Sequence, residues 1–229
     1  MPVPEAAMPH SVNARVPAFI FSFLVMQLWC GSAVLAASLT LTLTDQNHAA
    51  LDDAIIYISN INGKHAATTP QNVIVDQLNE MFVPHVRAIP VGSRVSFPNS
   101  DHIRHHVYSF SEAKTFELPL YTGVPTTPVQ FDKAGLVTLG CNIHDHMLGY
   151  ILVVDTPWYA EVHDGKATIS NLPAGQLAVV VWHPRLAQEQ ALQLNLTVTA
   201  DQNATLAQQL ELRPERMVRR APRRGGNRY

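Results

Sequence analysis

Cysteine is nearly absent from this chain: two residues in 229, too few for a disulfide framework. Charge is also sparse, at 15% of residues with a formal net charge of −2, and no nucleic-acid partner is expected. Beyond residue 37 no stretch has a helical period with caps, so strands are the expected elements. One of the two cysteines is itself expected to be lost. Residues 16–37 carry no charge, Arg15 precedes them, and Val34, Ala36 and Ala37 are small residues suited to cleavage. This reads as a secretory signal peptide over residues 1–37, against the competing reading of an uncleaved membrane anchor. Trp29 is too large for the position before a lipidated Cys30. Cleavage leaves Cys141 alone, as a free thiol, an intermolecular link or a metal ligand. An oxidising compartment consumes an unprotected thiol, and a bound metal protects it. Export points to a periplasmic location.

The few charges are unevenly divided. Residues 213–229 hold seven of the 16 Lys and Arg residues and a single Glu, a net of +6. The rest of the chain has a net of −8. The basic segment, with Gly225 and Gly226, is expected to be a disordered tail, either simply solvated or tethered electrostatically to a membrane or an acidic partner.

Around the remaining cysteine the sequence is dense in metal-binding chemistry. Cys141, His144 and Met147 are spaced by two residues each. A thiolate, an imidazole and a weak thioether on so short a segment can face one ion. That donor set suits copper, whose known pattern is a His₂Cys site with a long axial Met. The missing His is expected within residues 95–107, which contain His102, His105 and His106.

These two segments together resemble a cupredoxin. Val95, Phe97, Asn99, His105 and Val107 match the V-x-F-x-N strand and the H-N-V that carries the family's first copper ligand, with His106 in place of the Asn. Phe131 and Gly135 are similar to the F-x-x-x-G strand that brings in the Cys ligand, and C-x-x-H-x-x-M is the short ligand loop of amicyanin. The strings at residues 106–111, 141–144 and 182–184 look most like cupredoxin-like methylamine-utilisation proteins. The resemblance implies one type 1 copper ion held by His105, Cys141, His144 and Met147, with His144 exchanging electrons at the surface. Ile143 replaces the usual Pro, restoring an N–H expected to reach the Cys141 sulfur beside that of His106. His102, His106 and His146 are expected to be surface residues.

The remaining segments read as strands. Leu39, Leu41 and Leu43 alternate with threonines, residues 54–59 form a second apolar run, and residues 157–212 hold short apolar runs separated by turn residues. Residues 118–128, with three prolines and a glycine, are expected to be a loop. The pattern D-G-x-x-x-I-x-N-L-P-x-G at residues 164–175 is similar to carboxypeptidase-regulatory-like, or transthyretin-like, β-sandwich modules. The expected fold is all-β: a cupredoxin-like Greek-key sandwich over residues 70–156, inserted into a second small sandwich made of residues 38–69 and 157–212. A serial arrangement is the competing reading.

The implied function is a non-enzymatic carrier of single electrons, whose partner is a redox protein such as an amine dehydrogenase or cytochrome c. The alternative is a copper carrier or store using the clustered histidines. A catalytic Cys141–His144 pair lacks an evident orienting residue, a zinc site is disfavoured by Met147, and a structural sandwich with an incidental cysteine leaves the ligand spacing unexplained.

Overall fold

A computed structural model describes residues 37–61, 66–125, 127–188 and 190–214. The expected signal peptide up to residue 36 and the basic tail from residue 215 lie outside these. Among the described residues every regular element is a β-strand.

Four sheets are separated by three buried clusters, giving a layered stack. The first sheet has the order β14 (Lys166–Leu172), β1 (Ala37–Thr44), β17 (Asn203–Gln209). Its centre, β1, shows the pattern of a half-buried strand. Leu39, Leu41 and Leu43 are wholly buried, while Thr40, Thr42 and Thr44 are partly exposed on the other face. β1 pairs antiparallel with β14 and parallel with β17.

The second sheet has the order β13 (Tyr159–Glu161), β2 (Ile55–Ile61), β15 (Gly175–Trp182), β16 (Leu192–Val198). Strands from both ends of the chain therefore share each of these two sheets. Their common core contains Leu39, Leu41, Leu43, Ile56, Ile58, Val179 and Val181.

The third sheet has the order β6 (Val86–Pro90), β12 (His144–Val154), β11 (Gly135–Cys141), β8 (His105–Ser111), β9 (Lys114–Tyr121). It packs on a fourth, β10 (Val129–Phe131), β7 (Ser93–Ser96), β3 (Asn72–Ile74), around Val73, Phe82, Val95, Phe97, Phe131, Val137 and Leu139. A short hairpin, β4 (Asp76–Leu78) and β5 (Met81–Val83), completes this half.

The second and third sheets also face one another. Ile55, Val86, Ala88, Leu152 and Val154 form the seam between them, flanked by Tyr57, Tyr150, Tyr159 and Trp182. Their inner strands are thus covered on both faces. This accounts for unbroken apolar runs such as Ile151–Val154 and Val179–Val181, where alternation would otherwise be required.

One sequence expectation needs correction. Residues 118–121 are not loop but the end of β9, with Pro119 inside the strand. β9 is an edge strand, and its pairing with β8 slips between His105 and Val107. His105 pairs with Tyr121 and Val107 with Leu118, so β9 carries one residue more than β8 there. A proline is tolerated at such an edge bulge because no continuous ladder needs its missing N–H.

Candidate metal centre

Three of the four expected ligands converge at one end of the third sheet. His105 opens β8 and Cys141 closes β11, so both stand on strand ends. His144 begins β12, and Cys141 pairs directly with it across a two-residue turn, Asn142–Ile143. The loop expected to carry His144 and Met147 is therefore shorter than anticipated, and both residues belong to β12. Strand pairing sets the position of His144, whereas Met147 lies in the unpaired stretch between His144 and Leu148, where the ladder is irregular.

Cys141 Sγ lies 3.7 Å from His105 Nδ1 and 3.8 Å from His144 Nδ1. The three donor atoms are all within 4.8 Å of one another, a spacing that one ion can span. Cys141 is a free thiol at 3% exposure, His105 is wholly buried, and His144 is partly exposed. Met147 is buried at 1% in the same core cluster as Cys141. Two imidazole nitrogens and a thiol meeting in an apolar wall match the donor chemistry of soft, redox-active metals. Both ring nitrogens thus lie within hydrogen-bonding range of the sulfur.

Two glycines allow the close packing around the ligand turn. A Cβ on Gly140 would sit 2.7 Å from the Tyr108 ring, and one on Gly149 would sit 2.8 Å from Phe82. Any side chain at either position would push an aromatic residue off the strands that carry the candidate ligands.

The other histidines point elsewhere. His102 is exposed. His106 lies on the opposite face from His105, its Nε2 3.0 Å from Glu117 Oε1 but without hydrogen-bond alignment. It is more buried than expected of a surface residue, at 9% exposure. The His146 ring centre is 5.8 Å from that of His144, and its Nε2 is 3.3 Å from Glu80 Oε2.

The surroundings of His105 contain the residues that sequence reasoning missed. Its Nε2 is 2.7 Å from Asp101 Oδ2. Burial raises the Asp101 pKa, but the Glu80 and Asn79 amides and the hydrogen bond with His105 outweigh it, so the carboxyl stays below its ordinary value. Asn99, read earlier only as a motif position, donates to the carbonyls of Ile103 (2.9 Å) and Tyr121 (2.8 Å) and accepts the Asp101 N–H (3.0 Å). Tyr121, opposite His105 in the ladder, donates to Phe97 O at 2.6 Å and accepts from Gln77 Nε2 at 2.5 Å. Burial is the main cause of its pKa being pushed up to about 12. An acid four residues before His105 was visible in the sequence. Its partners on a distant hairpin were not.

The chain is an all-β protein whose third sheet ends in a His-Cys-His group that could hold a metal ion. Several solved structures match part of the chain. A copper-containing nitrite reductase from Thermus scotoductus is 27% identical over 42% of this chain and 25% of its own, with a TM-score of 0.34. The chain thus spans only a quarter of that enzyme's length. A purple cupredoxin from Nitrosopumilus maritimus is 23% identical over 35% of this chain and 95% of its own (TM-score 0.31). A reduced amicyanin variant is 19% identical over 43% and 97% (TM-score 0.32). No family model matches the chain, and neither does any curated protein sequence.

Proposed function

We propose that this protein is an exported carrier of single electrons. In this reading His105, Cys141, His144 and Met147 hold one copper ion in a type 1 site. The observation that carries it is the convergence of His105 Nδ1, His144 Nδ1 and Cys141 Sγ within 4.8 Å at a buried strand end. Bound copper supplies a one-electron Cu(I)/Cu(II) couple. The residues of the chain do the rest. His105 and Cys141 are fixed on rigid strands, which limits rearrangement between oxidation states. The core around Phe97, Val107 and Leu139 excludes water from the thiolate. His144, the partly exposed member of the set, gives the edge through which electrons pass to a redox protein.

The motif resemblance extends this to a partner such as an amine dehydrogenase or cytochrome c and to a periplasmic setting. Among the described residues no helix is long and apolar enough to cross a membrane. We also read residues 70–156 as a copper-binding sandwich inserted into a second sandwich formed by residues 38–69 and 157–212. The pairing of β1 with β14 and β17 and of β2 with β15 supports that division.

The second reading, a copper carrier or store, draws on His146 lying beside His144. One experiment separates the two. Copper-loaded protein lacking residues 1–37 is expected to show an intense thiolate-to-copper visible band, to cycle reversibly in voltammetry, and to resist a chelator. Cys141→Ser is expected to abolish the band, and His146→Ala to preserve it. A band that survives Cys141→Ser overturns the site, whereas rapid loss of copper to the chelator favours the carrier.

A further inference from the structure

The carboxylate of Asp101 meets three nitrogens: two backbone amides of a distant hairpin and the ring of His105. Oδ1 accepts the Asn79 amide at 2.6 Å. Oδ2 accepts the Glu80 amide at 2.9 Å and faces His105 Nε2 at 2.7 Å. Asn79 and Glu80 form the tip of the β4–β5 hairpin, both with left-handed backbone (φ 55° and 60°), which directs their consecutive amides into one acceptor. Glu80 also lies 3.3 Å from His146, so the tip touches the ligand strand β12 as well.

The donor inventory leaves little choice of residue. An ionised carboxylate only accepts, and it has roughly four lone-pair positions. A backbone amide can only donate. With two amides already bound, the imidazole must present its own N–H to Oδ2, so its proton sits on Nε2. The bare lone pair is then on Nδ1, the atom 3.7 Å from Cys141 Sγ. An asparagine at position 101 has one acceptor oxygen and an NH₂ group. In either orientation the NH₂ confronts a donor. Only the imidazole can adapt, by moving its proton to Nδ1, where it obstructs a ligand.

We propose that Asp101 is the positioning residue for His105, holding its proton on Nε2, and that through this carboxylate the β4–β5 hairpin is tied to the metal-holding end of the protein. This rests on the reading of His105 as a ligand. The negative charge beside His105 strengthens its donation and favours the more highly charged Cu(II) over Cu(I).

The test uses the wild-type protein, Asp101→Asn and Asp101→Glu. In diamagnetic Cu(I)-loaded wild type, nitrogen-15 NMR is expected to show a slowly exchanging proton on His105 Nε2. A His105 with no protected Nε2 proton overturns the proposal without any variant. Asp101→Asn is expected to lose that protection and to weaken Cu(II) binding about 10–100-fold in chelator competition. Cu(I) binding should weaken less, and each tenfold of that difference appears as a rise of about 59 mV in potential. An unchanged potential with an intact Nε2 signal overturns the proposal. Asp101→Glu keeps the charge and is expected to retain the Nε2 proton with a smaller shift in potential. A Glu variant without that proton also overturns it, even should the Asn variant fail to fold. If wild type takes up no copper, the electron-carrier reading falls, while the tie between Asp101 and His105 is still read from the same proton in copper-free protein.

Discussion

The two sandwiches of this molecule have cores of different kinds. The buried cluster around β1, β2 and β15 is aliphatic throughout, built from Leu, Ile, Val and Ala. The cluster behind the candidate ligands contains Phe82, Phe97, Phe131, Cys141 and Met147, and the buried polar residues Gln77, Ser93, Asn99, His105 and Ser109 belong to the same half. The first core needs only shape and apolar area, and many substitutions of similar volume would satisfy it. The second must keep polar atoms dry, so each needs a partner in a specific place. Ser93 Oγ accepts the Gln71 amide at 2.9 Å, Ser109 Oγ accepts that of Ser111 at 3.2 Å, and the Asn99 side chain makes three hydrogen bonds. One half is stabilised chiefly by burial. The other also uses a directional network that ends at a candidate metal ligand.

Damage to the aliphatic core should cost the most stability and leave the site alone. Leu41→Ala removes a wholly buried side chain and is expected to destabilise the protein by about 2–5 kcal/mol. Denaturant unfolding measures this, and the potential of the folded, copper-loaded variant should equal that of wild type. A potential that moved with Leu41 would show that the two cores are not separable.

Damage to the polar network should show the converse. Asn99→Ala strands two carbonyls and the Asp101 amide, at a cost of about 1–3 kcal/mol. Because it loosens the segment between β7 and β8, it should also shift the visible band. A destabilised variant with an unaltered spectrum would place Asn99 among purely structural residues.

The smallest effect concerns His183, on the aliphatic side. Burial, with Arg185 adding to it, lowers its pKa to about 4, and its Nδ1 accepts the Arg185 amide at 3.0 Å. The unfolded chain, with an ordinary histidine pKa near 6.5, binds a proton that the folded protein refuses. Stability is therefore full above pH ~6.5 and falls as the pH drops towards about 4. After discounting for screening, this amounts to about 1–2 kcal/mol, or roughly 2–8 °C in Tm. His183→Gln is expected to flatten the change in Tm between pH 7 and 4.5. An equally steep profile in that variant would remove His183 as the cause.

The parts of this structure most directly legible in the sequence were local ones or ones carried by a motif. Cys141 and His144, three residues apart, announce themselves as a pair of candidate donors, and the alternation of Leu39, Leu41 and Leu43 with threonines reads directly as a strand. Asp101 escaped because its meaning lies in Asn79 and Glu80, more than twenty residues away, and in a hydrogen bond that no periodicity records. The turn between Cys141 and His144 was read as a longer loop because ligand spacing says nothing about which residues pair across it. The run at residues 118–121 was misread for a different reason. Proline punctuates chains so reliably that its tolerance at a sheet edge is easily overlooked.

That same Pro119 bears on behaviour at high concentration. β9 is the outermost strand of the sheet that carries the candidate ligands, and an outermost strand offers unpaired backbone groups to any other copy of the chain. Here the row is interrupted by a residue without an N–H, at a bulge that bends the strand, next to the exposed side chain of Leu120. An incoming strand cannot form an unbroken ladder along it. Pro119→Val would restore the missing donor and, with it, a template for edge-to-edge association and fibre growth.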